Sequence, residues 1–135
     1  MLDNIDLVVL KITNRCNLNC QYCYEHEGKR PLGQDMSQKL FRKTVDLILM
    51  TTKKHSVNLL FHGGEPTLLS LDWFRDSVNY VHKKAEVIGK KISFSIQTNL
   101  IDISDDKLDF FLKERFSIGG SLDNPEWLDN SFRPK

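Results

Sequence analysis

Strand-length apolar runs alternate with helical segments along the whole chain, and that alternation restricts the fold more than any other feature. The runs are Leu7-Val8-Val9-Leu10-Lys11-Ile12-Thr13, Val57-Asn58-Leu59-Leu60-Phe61-His62, Ile92-Ser93-Phe94-Ser95-Ile96-Gln97 and Phe116-Ser117-Ile118-Gly119-Gly120-Ser121-Leu122-Asp123. Helices between successive strands imply right-handed βαβ units and a parallel sheet. The first run is almost continuously apolar, as a strand covered on both faces would be. The third alternates strictly, so Ile92, Phe94 and Ile96 are expected against the helices, with Ser93, Ser95 and Gln97 on the opposite, concave side. Ser117, Gly119, Ser121 and Asp123 repeat that small, polar row. The parity of Lys11, Thr13 and His62 is compatible with the same lumen, which would then hold water or a polar ligand.

The first helix is expected from Met36 to about Lys53, with Ser37 as N-cap, Lys53 and Lys54 at its negative end, and an inward stripe of Leu40, Phe41, Thr44, Leu47, Ile48 and Thr51. Met36 and Met50 read as packing residues. The second runs from its cap Ser70 to Ile88, turns Phe74, Val78, Val81, Ala85 and Ile88 inward, and stops at Gly89. The third is capped by Ser104, carries Asp105 and Asp106 in its first turn, and is expected to bury Leu108, Phe111 and Leu112. Glu25 to Asp35 reads as a polar loop, and Asn124 to Lys135 as an extended or loosely turned tail.

A chain of 135 residues suits one domain with a real core. Its formal charge of +1 gives no electrostatic reason to expect a nucleic-acid or membrane-surface partner. No apolar run approaches the roughly 18 residues of a membrane span. Three cysteines are an odd number gathered in one place, and the first residues lack a signal-peptide pattern, so the expected location is cytoplasmic.

Those cysteines, Cys16, Cys20 and Cys23, stand in Cys-x3-Cys-x2-Cys spacing at the end of the first strand. Strand ends of this kind are the ligand-binding edge of parallel α/β sheets. Thiolates select iron-sulfur clusters, zinc or copper, and a cuboidal cluster with three protein ligands keeps one iron open for a substrate. A structural zinc site closed by His26 or His62 is the competing reading. At the end of the second strand, Gly63-Gly64-Glu65-Pro66 allows positive φ or a close backbone approach, with proline locking the exit. The Glu65 carboxylate could face a cationic ligand or serve as the N-terminal charge of the next helix.

Four stretches in this order, Lys-Ile-Thr-Asn-Arg-Cys-Asn-Leu-Asn-Cys-Gln-Tyr-Cys-Tyr, Phe-His-Gly-Gly-Glu-Pro-Thr-Leu, Ser-Ile-Gln-Thr-Asn and Ser-Leu-Asp, resemble the radical SAM superfamily. Within it, the chain is similar to the N-terminal part of SPASM-type peptide and protein maturases such as the anaerobic sulfatase-maturing enzymes. The resemblance implies a partial (β/α) barrel of about four parallel strands with three helices, spanning residues 1–123, before a tail at 124–135 and truncated ahead of the remaining barrel strands. It implies a [4Fe-4S] cluster on Cys16, Cys20 and Cys23, with S-adenosyl-L-methionine chelated at the open iron and cleaved reductively to a 5′-deoxyadenosyl radical. Gly63, Gly64 and Glu65 would form the methionine-binding motif, Ser121 a polar contact to the cofactor, and Gln97 and Asn99 its surroundings. Asp123, at the mouth of the fourth strand, is the candidate catalytic group; no other residue is assigned that role.

Implied partners are a peptide or protein substrate and an electron donor such as flavodoxin or ferredoxin. The open barrel edge after the fourth strand offers a route to self-association. The subgroup usually has glycine where this chain has Leu100 and Asn124. Asparagine tolerates the left-handed region, whereas leucine suggests a differently shaped loop. With no later cysteine-rich segment, a catalytically incompetent fragment or split subunit that keeps cluster binding stands as the alternative to an enzyme.

Overall fold

The structure is a computed structural model that describes residues 3–25, 33–122 and 133. Strands β1 (Leu7–Thr13), β2 (Ser56–Gly63), β3 (Lys91–Thr98) and β4 (Ser117–Gly120) alternate with helices α1 (Gln38–Thr51), α2 (Leu71–Ile88) and α3 (Asp105–Lys113), and a 3-10 turn, Pro66–Leu68, follows β2. The sheet order is β1-β2-β3-β4 and every pairing is parallel. Because each crossover advances in the same direction with the same hand, the helices lie on one face and the other stays open. This is the four-stranded, three-helix α/β architecture that the alternation implies. No helix among the described residues is long and apolar enough to cross a membrane.

One core fills the space between sheet and helices. Leu10, Ile12, Val57, Leu59, Phe61, Phe94 and Ile96 meet Phe41, Val45, Leu49, Phe74, Val78, Val81 and Phe111 there. Phe61 sits at its centre, with ring centroids 5.7 to 6.2 Å from those of Phe41, Trp73, Phe74, Phe94 and Phe116. Aromatic pairs at such distances add about 0.5–1.5 kcal/mol each beyond their buried area. Phe94 and Ile96 face the helices as expected, while Asn58, Ser93 and Ser95 on the open face join through Asn58 Nδ2 donating to Ser93 Oγ at 3.0 Å and Ser95 Oγ donating to Asn58 Oδ1 at 2.9 Å.

Ser37 and Ser70 cap α1 and α2, their hydroxyls accepting from the amides of Leu40 and Trp73, and Gly89 ends α2 at φ 67°. Expectations for two helices and one loop are corrected. Helix α1 buries Phe41, Val45, Ile48 and Leu49, while Leu40 and Leu47 are 52% and 59% exposed. The inward stripe is rotated about a quarter turn from the expected one. Polar contacts with α2 set that rotation: Gln38 Nε2 donates to Trp73 O and Ser77 Oγ, each at 2.9 Å, and Tyr80 donates to Asp46 at 2.8 Å. The helix also ends at Thr51, so Lys53 and Lys54 lie beyond its last turn, and Lys53 pairs with Asp3 instead.

In α3 only Phe111 is buried; Leu108 and Leu112 are 40% and 61% exposed. A nine-residue helix beside the last strand of the sheet has one line of contact to offer, and Phe111 takes it. Ser104 occupies the N-cap position without a side-chain bond. The loop at Leu100 is corrected as well: Leu100 sits at φ 62°, the left-handed conformation a glycine would favour, so the turn keeps that shape despite its side chain. The expected polar loop and tail are only partly described: Gly33, Gln34 and Asp35 are seen, whereas His26, Gly28, Pro31, Asp123 and Asn124 lie outside the described residues.

Candidate functional site

The C-terminal ends of all four strands converge on one side, which is where the chemistry-bearing segments lie. Just after β1, Thr13 bridges Asp35 in antiparallel fashion, and Met36 N donates to Ile12 O at 2.7 Å. Arg15 holds the same carboxylate in a two-pronged pair, Nε to Oδ1 at 2.9 Å and Nη2 to Oδ2 at 2.7 Å, while the Thr13 hydroxyl donates to Oδ1 at 2.7 Å. The guanidinium keeps the Asp35 carboxyl below its ordinary value, with burial acting the other way. These contacts fix the entry to the cysteine loop, and buried Leu18 anchors its middle.

The glycines after β2 answer to this loop. Gly64 N donates to Thr13 O at 2.9 Å and Glu65 N to Arg15 O at 2.7 Å. A Cβ on Gly63 would stand 2.1 Å from Thr13 O, and one on Gly64 2.2 Å from Arg15 O, while Gly63 has φ 136°. Glycine is therefore required by the approach of one chain segment to another. With those amides engaged, the turn can offer a ligand acceptors, as an ammonium needs.

Glu65 is completely buried. Its Oε1 accepts from Thr67 N at 2.9 Å, Thr67 Oγ1 at 2.6 Å and Thr98 Oγ1 at 2.8 Å, and its Oε2 accepts from Asn99 N at 2.7 Å. The carboxylate thus faces inward and joins the exits of β2 and β3; it caps the 3-10 turn Pro66–Leu68, the N-terminal role weighed from the sequence, and does not face the cleft as a ligand contact would. Asn99 carries the connection onward, its side-chain amide donating to Asn17 Oδ1 at 2.7 Å and lying 3.9 Å from Cys16 Sγ. Asn17 in turn donates to Ile101 O at 3.2 Å. Across the cleft Gln97 Nε2 donates to Ser121 Oγ at 2.9 Å, and Arg133 donates to Ser121 O.

Cys16, Cys20, Cys23, Gly63, Gly64, Gln97, Asn99 and Ser121 line a single cleft of about 190 Å³, together with Tyr22, Tyr24, Glu25 and His62. The structure thus brings together the sequence candidates except Glu65, which lies beneath the cleft, and Asp123, which is outside the described residues. A larger groove of about 490 Å³ lies between α2 and α3, lined by Arg75, His82, Asp106, Lys113 and Glu114, and shares no residue with this cleft. Its acids and bases are those of an exposed helical surface.

All three cysteines are free thiols of intermediate exposure. Burial pushes the Cys20 thiol upward, partly offset by Arg133. Leu18 N donates to Cys16 Sγ at 3.4 Å. Among the described residues no three His, Cys, Asp or Glu side chains converge as around a single ion, where thiolates bound at about 2.3 Å would lie about 3.8 Å apart. Three soft thiol donors lining one cleft are the donor set of an iron-sulfur cluster, whose cysteine sulfurs bind separate irons. At the rim, Lys11 pairs with Glu25 at 2.7 Å and lies 5.9 Å from the Tyr24 ring centroid. The sequence did not point to Asn17 and Asp35, whose parts here depend on partners twenty or more residues away in the chain, nor to Thr67, which donates to Glu65 two residues before it.

Residues 10–128 match the family model described as Radical SAM superfamily. A cysteine-type anaerobic sulfatase-maturating enzyme of Clostridium novyi is 28% identical over 135 residues, covering 98% of this chain and 36% of that protein. A serine-type anaerobic sulfatase-maturating enzyme of Bacteroides thetaiotaomicron is 29% identical over 122 residues, covering 87% of this chain and 29% of that protein. The solved structure of native anSMEcpe with bound AdoMet superposes with a TM-score of 0.83 at 28% identity, over 96% of this chain and 35% of that one. The chain therefore spans about a third of the length of these relatives. A parallel sheet whose strand ends gather three free thiols and a Gly-Gly turn into one cleft, matched by the family model over most of its length, makes this chain a member of the radical SAM superfamily.

Proposed function

We propose that this chain forms the cluster-binding and S-adenosyl-L-methionine-binding edge of a radical SAM enzyme that modifies a side chain of a peptide or protein. The observation that carries the reading is the shared cleft of Cys16, Cys20 and Cys23 with Gly63 and Gly64. The three thiolates would hold a [4Fe-4S] cluster, and the acceptors of the Gly63–Gly64 turn would take the ligand's ammonium. When bound, cluster and S-adenosyl-L-methionine together supply the electron and the carbon-sulfur cleavage that yield a 5′-deoxyadenosyl radical. The chain's own share is binding and orientation: Glu65 and Asn99 hold the β2 and β3 exits in register, and Gln97 fixes the Ser121 hydroxyl at the opposite wall.

The names of the sulfatase-maturating relatives support a peptide or protein substrate. An electron donor such as flavodoxin or ferredoxin, a cytoplasmic location, a core over 1–123 with Asp123 as catalytic group, and self-association through the edge of β4 complete the reading. The alternative weighed from the sequence is a chain that holds a cluster without catalysing. Anaerobic reconstitution with iron and sulfide, metal analysis, and an assay for 5′-deoxyadenosine after reduction with S-adenosyl-L-methionine separate the two. Cleavage product supports the first, an iron-sulfur cluster without product supports the second, and tetrahedral zinc in place of iron overturns both.

A further inference from the structure

Lys107 is a lysine in the first turn of α3, where a cation opposes the helix dipole and where Asp105 and Asp106 are the favourable charges. Its side chain turns away from the helix and reaches the 3-10 turn after β2, where Nζ donates to Thr67 O at 2.6 Å. Burial pulls the ammonium below its ordinary value while the Glu65 carboxylate pulls it back up. Its own helix does not account for a cation there; the contact the structure gives its ammonium is the Thr67 carbonyl.

The contacts form a closed circuit. Thr67 donates its amide and hydroxyl to Glu65 Oε1, Glu65 receives Thr98 and Asn99 from the end of β3, and the chain from Asn99 leads into α3, which returns Lys107 to Thr67. We propose that Lys107 is a positioning residue for S-adenosyl-L-methionine binding: by clamping Thr67, which donates to Glu65, it holds the Gly63-Gly64-Glu65 turn in its binding conformation. The inference rests on the function proposed above for that turn, but the clamp itself can be tested without the cofactor.

Amide hydrogen exchange on this 135-residue chain without metal, comparing the parent with Lys107→Met and Lys107→Arg, reads the clamp directly. Lys107→Met should speed exchange at the Glu65 and Thr67 amides about tenfold relative to the parent, leave β1, α1 and the middle of α2 unchanged, and be largely rescued by Lys107→Arg. After anaerobic reconstitution, equilibrium dialysis with S-adenosyl-L-methionine should show binding weakened about five- to tenfold in Lys107→Met at equal iron content, again rescued by arginine. Unchanged exchange at Glu65 and Thr67, or protection lost throughout the sheet, overturns the proposal, as does unchanged affinity at equal iron content. Should the exchange pattern appear while even the parent binds no S-adenosyl-L-methionine, the functional reading of the turn fails and the link to ligand binding with it, leaving a clamp that is purely architectural.

Discussion

The backbone amide of Asn99 donates to the carboxylate of Glu65 at 2.7 Å, so the end of β3 hangs on a charge buried beneath the end of β2. Because Thr67 and Thr98 also donate to that carboxylate, every surrounding group expects an acceptor. Glu65→Gln keeps the shape and replaces one acceptor oxygen with a donor. It should destabilise the chain by about 2–4 kcal/mol. Urea unfolding checks this, with a lowered midpoint at an unchanged slope as the expected result.

Gly64 and Gly89 are expected to respond very differently to a methyl group. At Gly64 the added Cβ would stand 2.2 Å from Arg15 O, a backbone atom that cannot step aside without opening the cysteine loop. Gly64→Ala should cost about 2 kcal/mol or more and lower the iron bound on reconstitution. At Gly89 nothing lies within 4 Å and only the left-handed φ of 67° opposes alanine. Gly89→Ala should cost about 1 kcal/mol and leave iron binding as it was. Thermal unfolding and iron analysis of the two variants side by side test the contrast.

Alanine at Cys16, Cys20 or Cys23 should each remove most of the iron retained after anaerobic reconstitution, because a cube held at three corners cannot exchange a missing corner for either neighbour. Retention of the parent's iron by any of the three would count against the cluster assignment.

The sequence made legible what depends on neighbours in the chain. Ser37, Ser70 and Gly89 act through groups within four residues, and the alternation Ile92 to Gln97 needs only the pleat. The inward face of α1 was not legible in the same way. Leu40 and Val45 are equally plausible on an amphipathic wheel, and Gln38 gripping Trp73 and Ser77 decides between them across more than thirty residues of chain. Glu65 shows the same limit within the site: a literal motif located the turn, but Thr98 and Asn99, which occupy its carboxylate, come from a different strand. Leu100 is legible only as a departure, since its left-handed conformation is imposed by the Asn99 side chain accepting from Ile101 N at 2.8 Å.

Leu100 at φ 62° should gain from becoming glycine. Its side chain is 40% exposed, so relief of the left-handed strain outweighs the modest apolar packing that the leucine supplies, even after the greater freedom of glycine when unfolded. Leu100→Gly is expected to stabilise the chain by about 0.5–1 kcal/mol. A lower urea midpoint than the parent's would contradict that balance.

Asp35 links stability to acid. Arg15 holds its carboxyl below the ordinary value in the folded chain, so the folded state binds a proton there less readily than the unfolded state does. The stabilisation is therefore complete once the pH lies above the unfolded carboxyl's value, declines as the pH drops toward the folded value, and is gone below it. Side-chain exposures of 41% for Arg15 and 39% for Asp35 let solvent screen the pair, which limits its worth to about 1 kcal/mol. Asp35→Asn should accordingly be less stable than the parent at neutral pH by about that amount. The difference should close on acidification through the carboxylate range, and urea midpoints of both chains measured from about pH 7 to about pH 3 would reveal it. A gap that persists at the acid end would mean that the Thr13 and Arg15 contacts act through shape and not through charge.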